Sequence, residues 1–207
     1  MYAIDDDRVV EMIRANPWAL LVSEPERTGG DPVISHLPVL QDPDATTPVI
    51  LSHVANDDAA FHGLGSRRAT VIVQGAHGYV TPVWYQATPY VPSWDFLVAH
   101  LHGVPQLLTG EQTFRVLDLT CQRMESERDP SWTLSSVTEY AHRIAPGVTG
   151  FRLVPDRIVG KAKMSQDKPP EIVDRIVEAL RTDPFHANPA LADEVRRANP
   201  ADPRLST

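Results

Sequence analysis

A single cysteine, Cys121, in 207 residues excludes an internal disulfide framework and any cysteine-based metal site within one chain. Cys121 sits on the apolar side of a helical pattern, and a reducing, cytoplasmic setting is the expectation. Basic residues are scarce: 19 Lys and Arg stand against 27 Asp and Glu, a net charge of −8. Phosphate-backbone binding needs a clustered positive surface, so a nucleic-acid partner is not expected. No apolar run approaches membrane-spanning length, and MYAIDDDRVV is acidic where a secretory leader is basic, so no membrane association is expected. The phosphate loops GxGxxG and GxxxxGK(S/T) are missing, as are HExxH and GxSxG. Those absences set aside dinucleotide, P-loop, zinc-hydrolase and serine-hydrolase sites, and leave chemistry that depends on a bound cofactor.

What the chain does have is an aromatic concentration between Gln74 and Phe96, QGAHGYVTPVWYQATPYVPSWDF. Tyr79, Trp84, Tyr85, Tyr90 and Trp94 bring rigid stacking area with polar tips, beside His77 and Asp95, a composition suited to a wall against a flat ligand. An aromatic mini-core under a long loop is the bland alternative. Pro82, Pro89 and Pro92 exclude a long helix, so the rings are expected to project from strands and a connecting loop.

In chain order, Asp5, Asp6 and Asp7 open a helix that ends at Asn16-Pro17. Strands are expected at 18–23, 32–40 and 49–53, with the loop 25–31 between the first two and a short helix from Asn56 to Leu64 after the third. Residues 69–74 read as a strand, broken at Gly75-Ala76-His77-Gly78 and resumed from Tyr79 to Tyr85. A strand follows over 97–108, with His100 and His102 on one face. The helix 110–125 is expected to bury Phe114, Leu117, Cys121 and Met124. Ser136 and Glu139 suggest a capping box, and 148–154 with 158–164 suggest a hairpin about Pro155-Asp156-Arg157. Pro169-Pro170 opens an amphipathic helix with Ile172, Val173, Ile176, Val177 and Leu180 on one face. Short antiparallel strands with interspersed helices imply an α+β, mainly β fold, a small barrel with peripheral helices. The expected division is a domain over 1–181 and a loosely ordered, Pro-rich tail over 182–207.

Several short motifs carry a family resemblance. Ser35-His36-Leu37-Pro38, His53-Val54-Ala55, Gly75 to Pro82 with Trp84-Tyr85, Val91-Pro92-Ser93-Trp94, and Gly160-Lys161-Ala162-Lys163-Met164-Ser165-Gln166 together resemble the PaiB-like family, collinearly to about Leu180. The resemblance implies a split β-barrel of the FMN-binding type, a homodimer, and a cofactor cleft at the dimer interface. Two departures stand out: Trp94-Asp95-Phe96 where the family's regulators commonly have Trp-Asn-Tyr, and Ser165-Gln166-Asp167-Lys168-Pro169 where they continue Ser-Gln-Asn-Arg. Both variants resemble the piperazate synthase branch. That likeness implies haem b in place of FMN, and closure of the N–N bond of N5-hydroxy-L-ornithine to L-piperazic acid with loss of water. The alternative is an FMN-binding regulator or flavin-binding protein without turnover.

Within that resemblance His62, outside the shared motifs and on the short helix after His53, is the expected axial ligand of the haem iron. Phe61 and Leu64 would anchor the helix and leave His62 facing a cleft; a solvent-facing His62 is the alternative, and His36, His53 and His77 compete with it. His100 and His102 are assigned to the barrel surface or the dimer seam. Lys161, Lys163, Arg67 and Arg68 suit haem propionates, a flavin phosphate or a substrate carboxylate. Asp95, with Lys163 the expected catalytic pair, would hold the substrate's α-ammonium or take its proton, or else cap a turn. His77, Tyr79, Trp84 and Trp94 would line the cofactor, and Ser165 and Gln166 would bond its edge.

Overall fold

The computed structural model describes residues 2–25 and 30–200. In chain order its elements are β1 (Tyr2–Ala3), α1 (Asp6–Ala15), β2 (Trp18–Ser23), β3 (Val33–Gln41), β4 (Ile50–Ala55), α2 (Asn56–His62), β5 (Ala69–Val80), α3 (Pro82–Tyr85), β6 (Ser93–Gly103), β7 (Gln106–Leu107), α4 (Gly110–Glu125), α5 (Thr138–Ile144), β8 (Val148–Leu153), β9 (Arg157–Lys163), α6 (Pro170–Thr182) and α7 (Pro189–Ala198). The helix starts follow local chemistry. Asp5 accepts a hydrogen bond from the Arg8 amide at 2.9 Å, and Thr109 with Gln112 closes a capping box on α4.

The described residues divide into two compact units. One comprises the described parts of Asp5–Val73 and Ala99–Val159. Its strand order is β6-β5-β2-β3-β4-β8-β7, and β2 pairs antiparallel with both β3 and β5, as β4 does with β3 and β8. Alternate residues of these strands, among them Leu21, Val39, Val71 and Leu101, are fully buried, and Val9, Met12 and Ile13 of α1 join that apolar set. The other unit comprises the described parts of Met1–Ile4, Gln74–Val98 and Gly160–Thr207. Here the order is β1-β9-β6-β5, and α6 buries the expected face of Ile172, Val173, Ile176, Val177 and Leu180. β5 and β6 run from one unit into the other and so belong to both orders.

Several expectations are corrected. β5 continues through Gly75–Gly78 without a break, and 82–85 is a helical turn rather than a strand, because Thr81 accepts from the Val83 amide at 3.3 Å with Pro82 at the first helical position. β8 pairs with β4 and β7 whereas β9 lies between β1 and β6, so 148–163 is not a hairpin. α4 buries Thr113 and Val116, one residue away from the expected stripe, and Met124 is exposed. The cause lies in β8: Gly150, with no side chain, lets α4 approach until its amide donates to Thr113 Oγ1 at 3.2 Å. α5 begins without a side-chain cap, so Ser136 and Glu139 do not form the box.

The tail is corrected too. Residues 189–198 form α7, whose Leu191, Ala192 and Val195 are buried in the same unit as α6. Asn188 caps it by accepting from the Leu191 amide at 3.1 Å and donates to the His77 carbonyl at 3.0 Å. Gly78 permits the approach, since a Cβ there would meet Leu191 Cδ2 at 3.0 Å. Residues 201–207 of the expected tail, and 26–29 of the expected loop, lie outside the described residues.

Candidate functional site

Strand alternation puts His77 and Tyr79 of β5 on one face, and β6 lays Trp94 against them. The His77 and Trp94 rings stack with centroids 6.1 Å apart at 23°, and Tyr79 meets Trp94 edge-on at 6.4 Å. Half of the Trp94 surface, 51 %, is exposed. His186, which the sequence reading did not single out, extends the row by meeting Tyr79 at 5.3 Å. Trp84 is different. It is buried, and its Nε1 donates to Asp183 at 3.0 Å, so this ring anchors α3 to the segment after α6 rather than lining a cofactor.

Beside this row, in the same unit, Tyr85, Tyr90, Asp95, Lys163, Ser165 and Lys168 border a cavity of about 340 Å³. Asp95 is fully buried. Ser165, whose φ of 56° places it in the left-handed region, donates from Oγ to Asp95 Oδ2 at 2.6 Å. Asp95 Oδ1 has no hydrogen-bond partner among the described residues. Burial pushes the Asp95 carboxyl above the ordinary carboxylate range, against the Ser165 hydrogen bond and the Lys163 charge, which both favour ionisation. Lys163 Nζ donates to Ser93 Oγ at 2.5 Å and to the Trp94 carbonyl at 3.2 Å, which holds it at the rim. Lys168, also missed from the sequence, lies over the Tyr90 ring at 5.2 Å and the Tyr85 ring at 5.9 Å and pairs with Asp167.

The two motifs that depart from the regulator pattern, Trp94-Asp95-Phe96 and Ser165 to Pro169, are some seventy residues apart and meet at this cavity through the Ser165–Asp95 bond, |i−j| = 70. Gln166 does not serve a ligand there. Its Oε1 accepts from the Met164 amide at 2.7 Å and its Nε2 donates to the Ala162 carbonyl at 3.1 Å, so the side chain holds its own turn. Lys161 is half-buried, on the same face of β9 as Lys163 by strand alternation.

His62 and Arg67 belong to the other unit. Leu64 is buried as expected, but the other two positions are exchanged: His62 is fully buried, while Phe61 is 66 % exposed. The left-handed turn at Gly63, φ 58°, ends α2 immediately after His62. Its Nδ1 is 2.8 Å from Ser23 Oγ and its Nε2 2.9 Å from Ser35 Oγ, so one serine accepts and the other donates. Burial keeps the imidazole below the ordinary histidine range and therefore neutral. An axial ligand needs one ring nitrogen with an open lone pair. His62 has none as folded and does not fit that role. Arg67 packs across Gly63, with its Nε where a Cβ would stand, and Arg68 pairs with Asp156. Of the competing imidazoles, His53 is partly buried with Nδ1 unpartnered, His36 stacks on Trp18 at 6.2 Å, and His77 is exposed on Trp94.

The exposed Trp94 face with His77 and Tyr79 fits a planar aromatic ring, whether flavin or porphyrin. Among the described residues no group of three or more His, Cys, Asp or Glu side chains is placed to hold a metal ion.

A family model described as "Putative FMN-binding domain" matches residues 1–157. An uncharacterized protein of Saccharomyces cerevisiae is 25 % identical over 103 residues, 46 % of this chain and 61 % of its own length. An uncharacterized protein of Emericella nidulans is 24 % identical over 136 residues, 58 % of this chain and 54 % of its own length. The chain thus spans less than two thirds of these relatives. Among solved structures, the FAD and heme binding protein from Mycobacterium smegmatis superposes with a TM-score of 0.58 at 15 % identity, over 82 % of this chain and 77 % of that one. The flavocytochrome Anf3 from Azotobacter vinelandii gives 0.59 at 14 % identity, over 83 % and 74 %. These likenesses show the fold, which is the split barrel expected from the sequence motifs.

Proposed function

Because the chain belongs to this FMN-binding domain family, we propose that it binds a planar cofactor on the Trp94 face and is a piperazate synthase-like enzyme, closing the N–N bond of N5-hydroxy-L-ornithine to give L-piperazic acid and water. The supporting observation is the cavity at Asp95, where the two sequence departures that resemble that branch come together on one small polar pocket. Its charges are of both signs, as an amino-acid zwitterion requires: Asp95 Oδ1 is a buried, unpaired acceptor suited to an α-ammonium, and Lys163 and Lys168 offer positive ends to a carboxylate. A buried carboxyl with a raised proton affinity also suits acceptance of the proton that the α-amine must lose before it attacks nitrogen. Both nitrogens belong to one molecule, so holding it folded supplies much of the rate advantage.

Haem b is the planar group in this proposal, with an iron donor other than His62 in its present arrangement. A second reading, FMN without turnover, is favoured by the family description. The protein is proposed to act as a homodimer in the cytoplasm. Purified protein expressed with haem supply is expected to show a Soret band and to convert N5-hydroxy-L-ornithine to L-piperazic acid, read by mass spectrometry. Flavin absorption with no Soret band after haem addition, together with no product, overturns the proposal in favour of the second reading.

A further inference from the structure

Two of the residues that line the Asp95 cavity carry a buried polar atom with no hydrogen-bond partner among the described residues: Asp95, at Oδ1, and Tyr85, at its hydroxyl. Both residues are fully buried. They differ in what they lack. An ionised carboxylate oxygen only accepts, so Oδ1 calls for a donor; a phenol needs an acceptor for its proton. The Tyr85 proton is firmly held, since burial, followed by the Asp95 charge, pushes its pKa up to about 12. The ring itself is well placed: Tyr90 meets it edge-on at 5.1 Å, Lys168 lies over it, and Arg175 donates to the Tyr85 carbonyl at 2.7 Å. Packing thus accounts for the ring and leaves the hydroxyl unexplained, because an unpaired buried hydroxyl is destabilising by itself.

We infer that the Tyr85 hydroxyl is the specificity-determining contact for the substrate's N–OH oxygen. This rests on the reading above that the cavity takes an N-hydroxylated amino acid. Three polar groups of such a molecule then find three different partners: the α-ammonium Asp95, the carboxylate Lys168 with Lys163, and the hydroxylamine oxygen Tyr85. The corresponding amine, L-ornithine, keeps the first two contacts and loses the third. A site that hydrogen-bonds a substrate hydroxyl discriminates strongly against the analogue without it, because its own polar group is left unpaired.

The test compares wild type with Tyr85→Phe, each loaded with its cofactor, by kcat/KM for N5-hydroxy-L-ornithine, by the inhibition constant and calorimetric Kd of L-ornithine, and by Tm. Tyr85→Phe is expected to lower kcat/KM for the hydroxylated substrate by about 10- to 100-fold, the effect of one lost buried hydrogen bond, and to leave L-ornithine affinity within about twofold. Its Tm should be unchanged or higher, since the variant removes an unpaired buried hydroxyl. Wild-type kcat/KM in Tyr85→Phe, or an equal loss of L-ornithine affinity, overturns the inference while leaving the reading of the cavity in place. A wild type that binds no L-ornithine by calorimetry and turns over no substrate overturns that reading, and the role of Tyr85 with it.

Discussion

At Asp95, one carboxylate oxygen takes the Ser165 hydroxyl and the other takes nothing from the protein, so the ionised form is poorly supported in its buried place. Its folded pKa is raised above the ordinary carboxylate value by burial, so the folded state holds the proton where the unfolded state has released it. Stability therefore falls as pH rises from the ordinary carboxylate value through the raised one, and the penalty persists at neutral pH. Asp95→Asn should flatten that part of the pH–stability curve and leave the variant at least as stable as wild type near pH 7, measured by urea denaturation across pH. In the same variant turnover of N5-hydroxy-L-ornithine should be lost, since the amide cannot take the proton. His62 is the opposite case. It bridges Ser23 and Ser35 with both ring nitrogens, and His62→Ala would leave a cavity and an unpaired Ser23 hydroxyl. The expected destabilisation is about 2–4 kcal/mol, read from the urea midpoint, whereas a surface histidine would cost less than about 0.5 kcal/mol. Nothing in the local pattern distinguishes these outcomes, because Ser23 and Ser35 lie on strands far away in sequence.

Two of the corrected elements, α3 and α7, share one signature. Thr81-Pro82 and Asn188-Pro189 each place a capping side chain directly before a proline at the first helical position, and each opens a helix, α3 and α7. Taken by local pattern alone, those prolines mark a break and a loose tail. The consequence of α7 is measurable: Leu191 is fully buried against α6 and Gly78, and Leu191→Ala should cost about 3 kcal/mol in urea denaturation. An unfolding midpoint equal to wild type would mean that α7 contributes nothing to its unit. By contrast α1, β2, α4 and α6 stand within a residue or so of their expected bounds, because capping residues, prolines at the first turn and strand alternation mark their ends.

For the molecule as a whole, the net charge of −8 sets the expectation for its partners. Fluorescence anisotropy with duplex DNA at physiological salt should detect no binding at micromolar protein, and a salt-dependent affinity would contradict the assignment of its chemistry to small molecules. Light scattering should give twice the chain mass of 22.9 kDa. A monomer that carries its cofactor would remove the dimer from the proposal. Among the described residues no helix is long and apolar enough to cross a membrane.

Sequence by itself determined the fold class, most helix and strand positions, the aromatic composition of the wall and the family, since those depend on local periodicity and on short collinear motifs. Tertiary structure alone decided the site. Strand pairing in the order β1-β9-β6-β5 carried Ser165 to Asp95 and turned a pair of distant sequence variants into one cavity. The seating of α2 against β2 and β3 put His62 inward, between Ser23 and Ser35, and Phe61 outward, a choice between two faces that a seven-residue helix does not declare. Which polar atoms are satisfied is a property of neighbours in space, and so Tyr85, indistinguishable in the sequence from its aromatic companions, emerges as a buried hydroxyl with no partner among the described residues.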